Sequence, residues 1–119
     1  MALNNLCWAK GTAGIALESA LADCNAALTK EPEVAGFIDS RALVYLRLGR
    51  IDEAIADYDR ALAKAPTMTS SLFGRALAWA RKGDKTRSAA DAAAAQRNDA
   101  KVIERFKGYG LELGEPLAK

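Results

Sequence analysis

Small and large apolar residues recur along this chain with a period near 3.6, the spacing that lines one face of a helix. In residues 17–29, Ala20, Cys24, Ala27 and Leu28 fall at i, i+4, i+7 and i+8 and make one stripe. Residues 52–64 repeat it with Ala54, Tyr58, Ala61 and Leu62. Residues 35–48 carry Ile38, Ala42, Tyr45 and Leu46, and residues 70–82 carry Leu72, Ala76, Trp79 and Ala80. A sixth segment begins at Asp84 and runs to about Arg97, with Ala89, Ala92, Ala93 and Ala95. Short helices are expected at both ends: residues 2–10, with Leu3, Leu6, Cys7 and Trp8, and residues 100–108, with Val102, Ile103 and Phe106. Glycine and proline punctuate the pattern. Gly11 and Gly14 are expected to end the first helix, Gly49 and Gly83 to cap the third and fifth, and Pro32 and Pro66 to follow the second and fourth. The tail, residues 111–119, is expected to fray.

The pattern repeats every 34 residues without a gap. Counting units from residues 1, 35 and 69, position 8 holds Trp8, Ala42 and Ala76, and position 11 holds Gly11, Tyr45 and Trp79. Position 20 holds Ala20, Ala54 and Ser88, position 24 holds Cys24, Tyr58 and Ala92, and position 27 holds Ala27, Ala61 and Ala95. Pro32 and Pro66 share position 32, where the third unit has Ala100. Small residues at 8, 20 and 27 let helices approach closely, and large ones between them fill the remaining space. A helix pair this short cannot bury its apolar face alone, so neighbouring pairs must stack.

These residues resemble the tetratricopeptide repeat (TPR) family, the middle unit most strongly. That unit departs from the family pattern at Ile38 and Arg41, the first unit at Gly11, and the third in lacking the terminal proline. The resemblance covers residues 2–102, with 103–110 similar to the capping helix of such arrays. It implies a single all-α domain over 1–119: a right-handed superhelical stack of three antiparallel helix pairs (1–34, 35–68, 69–102), a capping helix near 100–108 and a tail at 111–119. It implies a protein–protein interaction module and scaffold whose first helices line a concave surface. The positions facing that surface are Asn5 in the first unit, Asp39, Leu43, Leu46 and Arg47 in the second, and Ser70, Phe73, Leu77 and Arg81 in the third. They describe a leucine and phenylalanine floor with basic residues at one edge, suited to an extended or helical peptide. Carboxylate-clamp chemistry is not expected, because Asn5, Ala9, Ser40, Ser70 and Gly74 stand at the clamp positions. The strings LNNLCW and ALADCNAAL also resemble three-repeat modules at the ends of longer bacterial proteins, some predicted to be exported and some with a retroviral-type aspartyl protease domain. Two alternatives therefore stand beside peptide binding: an accessory domain of a larger enzyme, and self-association as a homodimer.

Composition narrows the chemistry. A net charge of +2 over 119 residues gives no argument for nucleic acid or an acidic membrane surface. No apolar run approaches the ~20 residues of a membrane span. The opening MALNNLCW has no basic region followed by an apolar core, so it does not read as a signal peptide. The chain is then either cytoplasmic or a segment of a longer, exported protein. There is no histidine, no phosphate-binding glycine loop, no metal-spaced cysteine set and no nucleophile beside a base. No catalytic residue, cofactor or metal is assigned, and the expected reading is non-enzymatic.

Two features cross-link the pattern. Around a turn at residues 15–16, residues that face each other in a hairpin sum to about 31, as Cys7 and Cys24 do. A disulfide there stabilises by ~3 kcal/mol and places the chain in an oxidising compartment, periplasmic or exported. Two reduced core cysteines are the alternative. Position 23 is aspartate in all three units (Asp23, Asp57, Asp91), and position 7 is arginine in the last two (Arg41, Arg75). Because the second helix of one unit packs on the first of the next, Asp23–Arg41 and Asp57–Arg75 are expected as inter-repeat ion pairs. Pairing within a unit, such as Arg41–Asp57, is the alternative.

Overall fold

The computed structural model describes residues 2–114. Seven α-helices and no strand occur among them: α1 (Ala2–Ala13), α2 (Leu17–Lys30), α3 (Ala35–Arg47), α4 (Ile51–Lys64), α5 (Thr69–Lys82), α6 (Lys85–Asn98) and α7 (Val102–Gly108). They pack as three antiparallel pairs, α1–α2, α3–α4 and α5–α6, and each pair lies against the next through α2–α3 and α4–α5. Expected boundaries shift by one to three residues.

The small residues of the repeat lie in the interior. Ala20, Ala27, Ala42, Ala54, Ala61, Ala76 and Ala95 are all fully buried. Ser88 stands in the same series, and its hydroxyl donates to the Ala76 carbonyl at 2.8 Å. Tyr58, Phe73, Phe106, Ile38, Leu43, Leu46 and Leu77 fill the space between them. One apolar cluster runs from α3 through α5 to α7. Two smaller ones lie around Ala27–Phe37–Ala61 and around Cys7–Cys24–Val44.

Local chemistry sets the ends. Asp84 caps α6 by accepting from the Arg87 main-chain N–H at 3.0 Å. α3, α5 and α7 finish in one geometry, with the N–H of a left-handed glycine and of the residue after it bonded back into the last turn.

Gly11 is a correction. It does not end the first helix; α1 runs through it to Ala13. A Cβ at Gly11 would lie 3.2 Å from Val44 Cγ2, so the absence of a side chain lets α1 approach α3. That contact outweighs the ~1 kcal/mol that glycine costs inside a helix.

The tail is a second correction. Leu111 is 2% exposed, and Leu113 packs on the main apolar cluster rather than fraying. Residues 115–119 of the expected frayed tail lie outside the described residues. The radius of gyration is 13.0 Å, matching the ~13–14 Å of a compact domain of this length.

Candidate peptide-binding face

The face formed by α1, α3 and α5 carries the residues expected to meet a ligand. Asn5 is exposed and Ser70 half-buried. The expected open floor is not open. Leu43, Leu46, Phe73 and Leu77 are each no more than 1% exposed, so exposure of these four to a ligand is corrected. The cover comes from the chain itself. The Phe106 ring sits 4.9 Å from that of Phe73, Leu111 joins the same apolar cluster, and Tyr109 meets Trp8 edge-on at 6.1 Å. The segment after α7 thus reaches from α5 back to α1. A fully buried phenylalanine or leucine contributes about 1.5–3 kcal/mol, which is the physical reason the floor does not stay bare.

Asp39 is buried rather than facing solvent. It accepts from Ser70 Oγ at 2.8 Å and from Ser71 Oγ at 2.7 Å, tying α3 to α5. Burial raises its pKa above the usual carboxylate value, and the two hydroxyl hydrogen bonds oppose that rise. It therefore acts as a joint between helix pairs.

The basic edge is also turned inward. Arg47 donates through Nε to the Gly11 carbonyl at 3.0 Å and through Nη2 to the Thr12 carbonyl at 2.8 Å and to the Tyr109 carbonyl. Arg81 repeats the move one pair later, donating from Nη1 to the Leu46 carbonyl at 3.0 Å. Each arginine thus adds a bond to main-chain carbonyls at the C-terminal end of the preceding first helix. Burial lowers the pKa of both, and the Arg81 charge lowers that of Arg47 further. Neither has a carboxylate partner among the described residues.

The expected inter-repeat pairs Asp23–Arg41 and Asp57–Arg75 do not form. Arg41 grips Asp57 with two bonds of 2.7 and 2.9 Å, and Arg75 grips Asp91 at the same two distances, both within a helix pair. Asp23 is taken by Lys10 at 2.8 Å. The links across pairs use position 25 instead: Arg41 donates to Asn25 Oδ1 at 3.1 Å and Arg75 to Asp59 at 2.9 Å. The hairpin brings positions 7 and 23 level and in reach of a bidentate bond, and the preceding helix offers the arginine a more exposed acceptor.

Cys7 and Cys24 are joined in a disulfide between α1 and α2, with a Cα–Cα distance of 5.4 Å. Both are fully buried.

The residues that sequence reasoning missed are Tyr109 and Leu111. Their signal was the alternation Tyr109, Leu111, Leu113 separated by Gly110 and Glu112. Among the described residues no group of three or more metal-binding side chains occurs, and no helix is long and apolar enough to cross a membrane.

The sequence pattern described as Tetratricopeptide repeat matches residues 40–102, more than half of the chain. No curated protein matches it. Such repeats are typically non-catalytic modules of protein–protein interaction. The family match over α3–α6, together with the stacking of α1–α2, α3–α4 and α5–α6 on one another, shows that the chain belongs to the tetratricopeptide repeat family.

Proposed function

We propose that the chain is a non-enzymatic interaction module that binds a peptide or protein segment on its concave face, the face of α1, α3 and α5. One observation carries this reading. The chain's own residues 106–111 are seated there, with Phe106 and Leu111 in the apolar floor and Arg47 holding a main-chain carbonyl of Tyr109. A surface that accepts one apolar segment with its backbone carbonyl satisfied has the chemistry to accept another. The buried Cys7–Cys24 bond supports an oxidising compartment for this activity.

Asp substitutions at Leu43 or Phe73 would test folding rather than binding, since both are core residues. Asn5 and Ala9 are exposed on α1 and make better probes. Peptides selected from a displayed library on the oxidised protein should lose affinity on Asn5→Arg and Ala9→Arg. They should keep it on Thr29→Arg, an exposed position of α2 on the other side of the pair. Loss at Thr29 with retention at Asn5 and Ala9 overturns the reading.

A further inference from the structure

We propose that residues Tyr109–Leu113 are a self-ligand that closes the concave face, and that a partner binds by displacing this strap with a segment that makes the same turn, an aromatic residue and a leucine on either side of a glycine. The inference rests on the concave-face reading above.

The strap is attached differently from the helix that precedes it. Val102 and Phe106 of α7 are buried against the end of the stack and are no more than 1% exposed. Beyond them the chain turns back at Gly110, whose φ is +81°. The Gly110 N–H bonds to the Lys107 carbonyl at 2.9 Å and the Leu111 N–H to the Phe106 carbonyl at 3.0 Å. These two bonds fix the turn, and the Leu111 and Leu113 side chains with the Tyr109 contacts hold the strap down. Gly110 takes its left-handed φ without steric strain, so the turn that seats the strap depends on a glycine at this position. Residues 109–113 can leave while Val102 and Phe106 stay as the cap.

The contacts that the strap makes define its replacement. The Tyr109 ring lies edge-on to Trp8 at 6.1 Å and to Phe106 at 5.3 Å, so that place takes an aromatic ring. Leu111 is 2% exposed within the cluster of Leu43, Leu46, Phe73 and Leu77, so that place takes a branched aliphatic side chain. Between them Arg47 donates to the Tyr109 carbonyl, a contact that the main chain of a segment turning in the same way supplies. Arg47 and Arg81 bond only to main-chain carbonyls, so an incoming segment breaks no ion pair at this edge.

The test is a fluorescein-labelled peptide of sequence KGYGLELG, residues 107–114, titrated by anisotropy against three full-length oxidised proteins. These are the wild type, Leu111→Asp and Gly110→Val. Leu111→Asp removes the aliphatic anchor. Gly110→Val strains the turn without a clash, because nothing lies within 4 Å of a Cβ there. Occupation of the site by the strap divides the intrinsic dissociation constant by the fraction of open molecules and so weakens binding, and Leu111→Asp should bind at least about tenfold tighter than wild type, with Gly110→Val between. Gly110→Val decides the matter if Leu111→Asp fails to fold by circular dichroism. Equal affinity for all folded proteins overturns the strap. If library-selected peptides still bind through Asn5 and Ala9, the concave-face reading survives that result; if they do not, both fail. A concentration-dependent rise in mass in wild type, abolished by Leu111→Asp, means exchange of straps between copies and overturns binding of an external partner.

Discussion

The first helix pair and the two that follow are clamped at the same height by different chemistry. In α3–α4 and α5–α6 the clamp is ionic: Arg41 on Asp57 and Arg75 on Asp91, each with two short bonds. In α1–α2 position 7 is Cys7, and it reaches position 24 covalently instead of position 23 electrostatically. Asp23, left without its arginine, is held by Lys10 almost one turn further along α1. The first pair departs in two other ways. Gly11 replaces the aromatic residues of the later pairs, and its turn carries Ala16 in the left-handed conformation at φ 49°. Each hairpin thus carries a cross-link at this level, and the kind of cross-link differs between the first pair and the other two. An ionic clamp works in any redox setting. The covalent one forms only under oxidising conditions.

Reduction should break the comparison most visibly. The bond closes residues 17 apart, and releasing it should lower stability by about 3 kcal/mol, or roughly 12 °C in melting temperature for a chain of this size. Calorimetry with and without reductant checks this, and two free thiols in the untreated folded protein would remove the basis for it. Arg41→Leu comes next, at about 2 kcal/mol by urea denaturation. Asp57 is nearly buried and would keep only Arg60, at 3.2 Å, yet Arg41 is 19% exposed, so the full effect of breaking a buried pair is not reached. Cys7→Arg with Cys24→Ala transplants the position-7 and position-24 residues of the third pair. It should recover about 1 kcal/mol over Cys7→Ala with Cys24→Ala through a bond to Asp23, and its melt should ignore reductant. Ala16→Gly should stabilise by about 1 kcal/mol, since glycine adopts the left-handed turn without steric strain.

The smallest effect concerns Asp39, whose counterpart in the first pair, Asn5, is exposed. The folded-state pKa of Asp39 is raised by burial above 3.8. The folded protein therefore holds this proton to a higher pH than the unfolded chain does. Its contribution is most favourable below 3.8, declines as pH rises to the folded-state value, and is flat beyond it. Asp39→Asn should flatten that part of the urea midpoint against pH profile, and an unchanged profile would assign the slope to other carboxylates.

The helix pairs were legible because their signal is local and repeated. The stripe Ala54–Tyr58–Ala61–Leu62 states both the helix and the face it buries, and the 34-residue register states the stacking. The level of Cys7 with Cys24 was legible from the hairpin alone. The same facing rule, applied to Arg41 and Asp57 around the turn at Gly49, selects the pairing that forms; reasoning from stacking instead misassigned it. Gly11 misled because a glycine's cost inside a helix is visible in sequence, whereas its benefit lies on another helix, at Val44. The floor residues Leu43 and Phe73 were correctly read as apolar and on the first helices, yet their exposure depended on residues more than 30 positions away.

Sequence alone therefore determined the elements, their pairing and the repeat, since each follows from residues within one turn or one hairpin. Tertiary structure decided whether the face of α1, α3 and α5 is open. That depends on where a glycine-bracketed segment of three apolar residues comes to rest. Its alternation of Tyr109, Leu111 and Leu113 suits many apolar surfaces, and only the assembled stack presents one with Trp8 at one end, Phe73 at the other and Arg47 between.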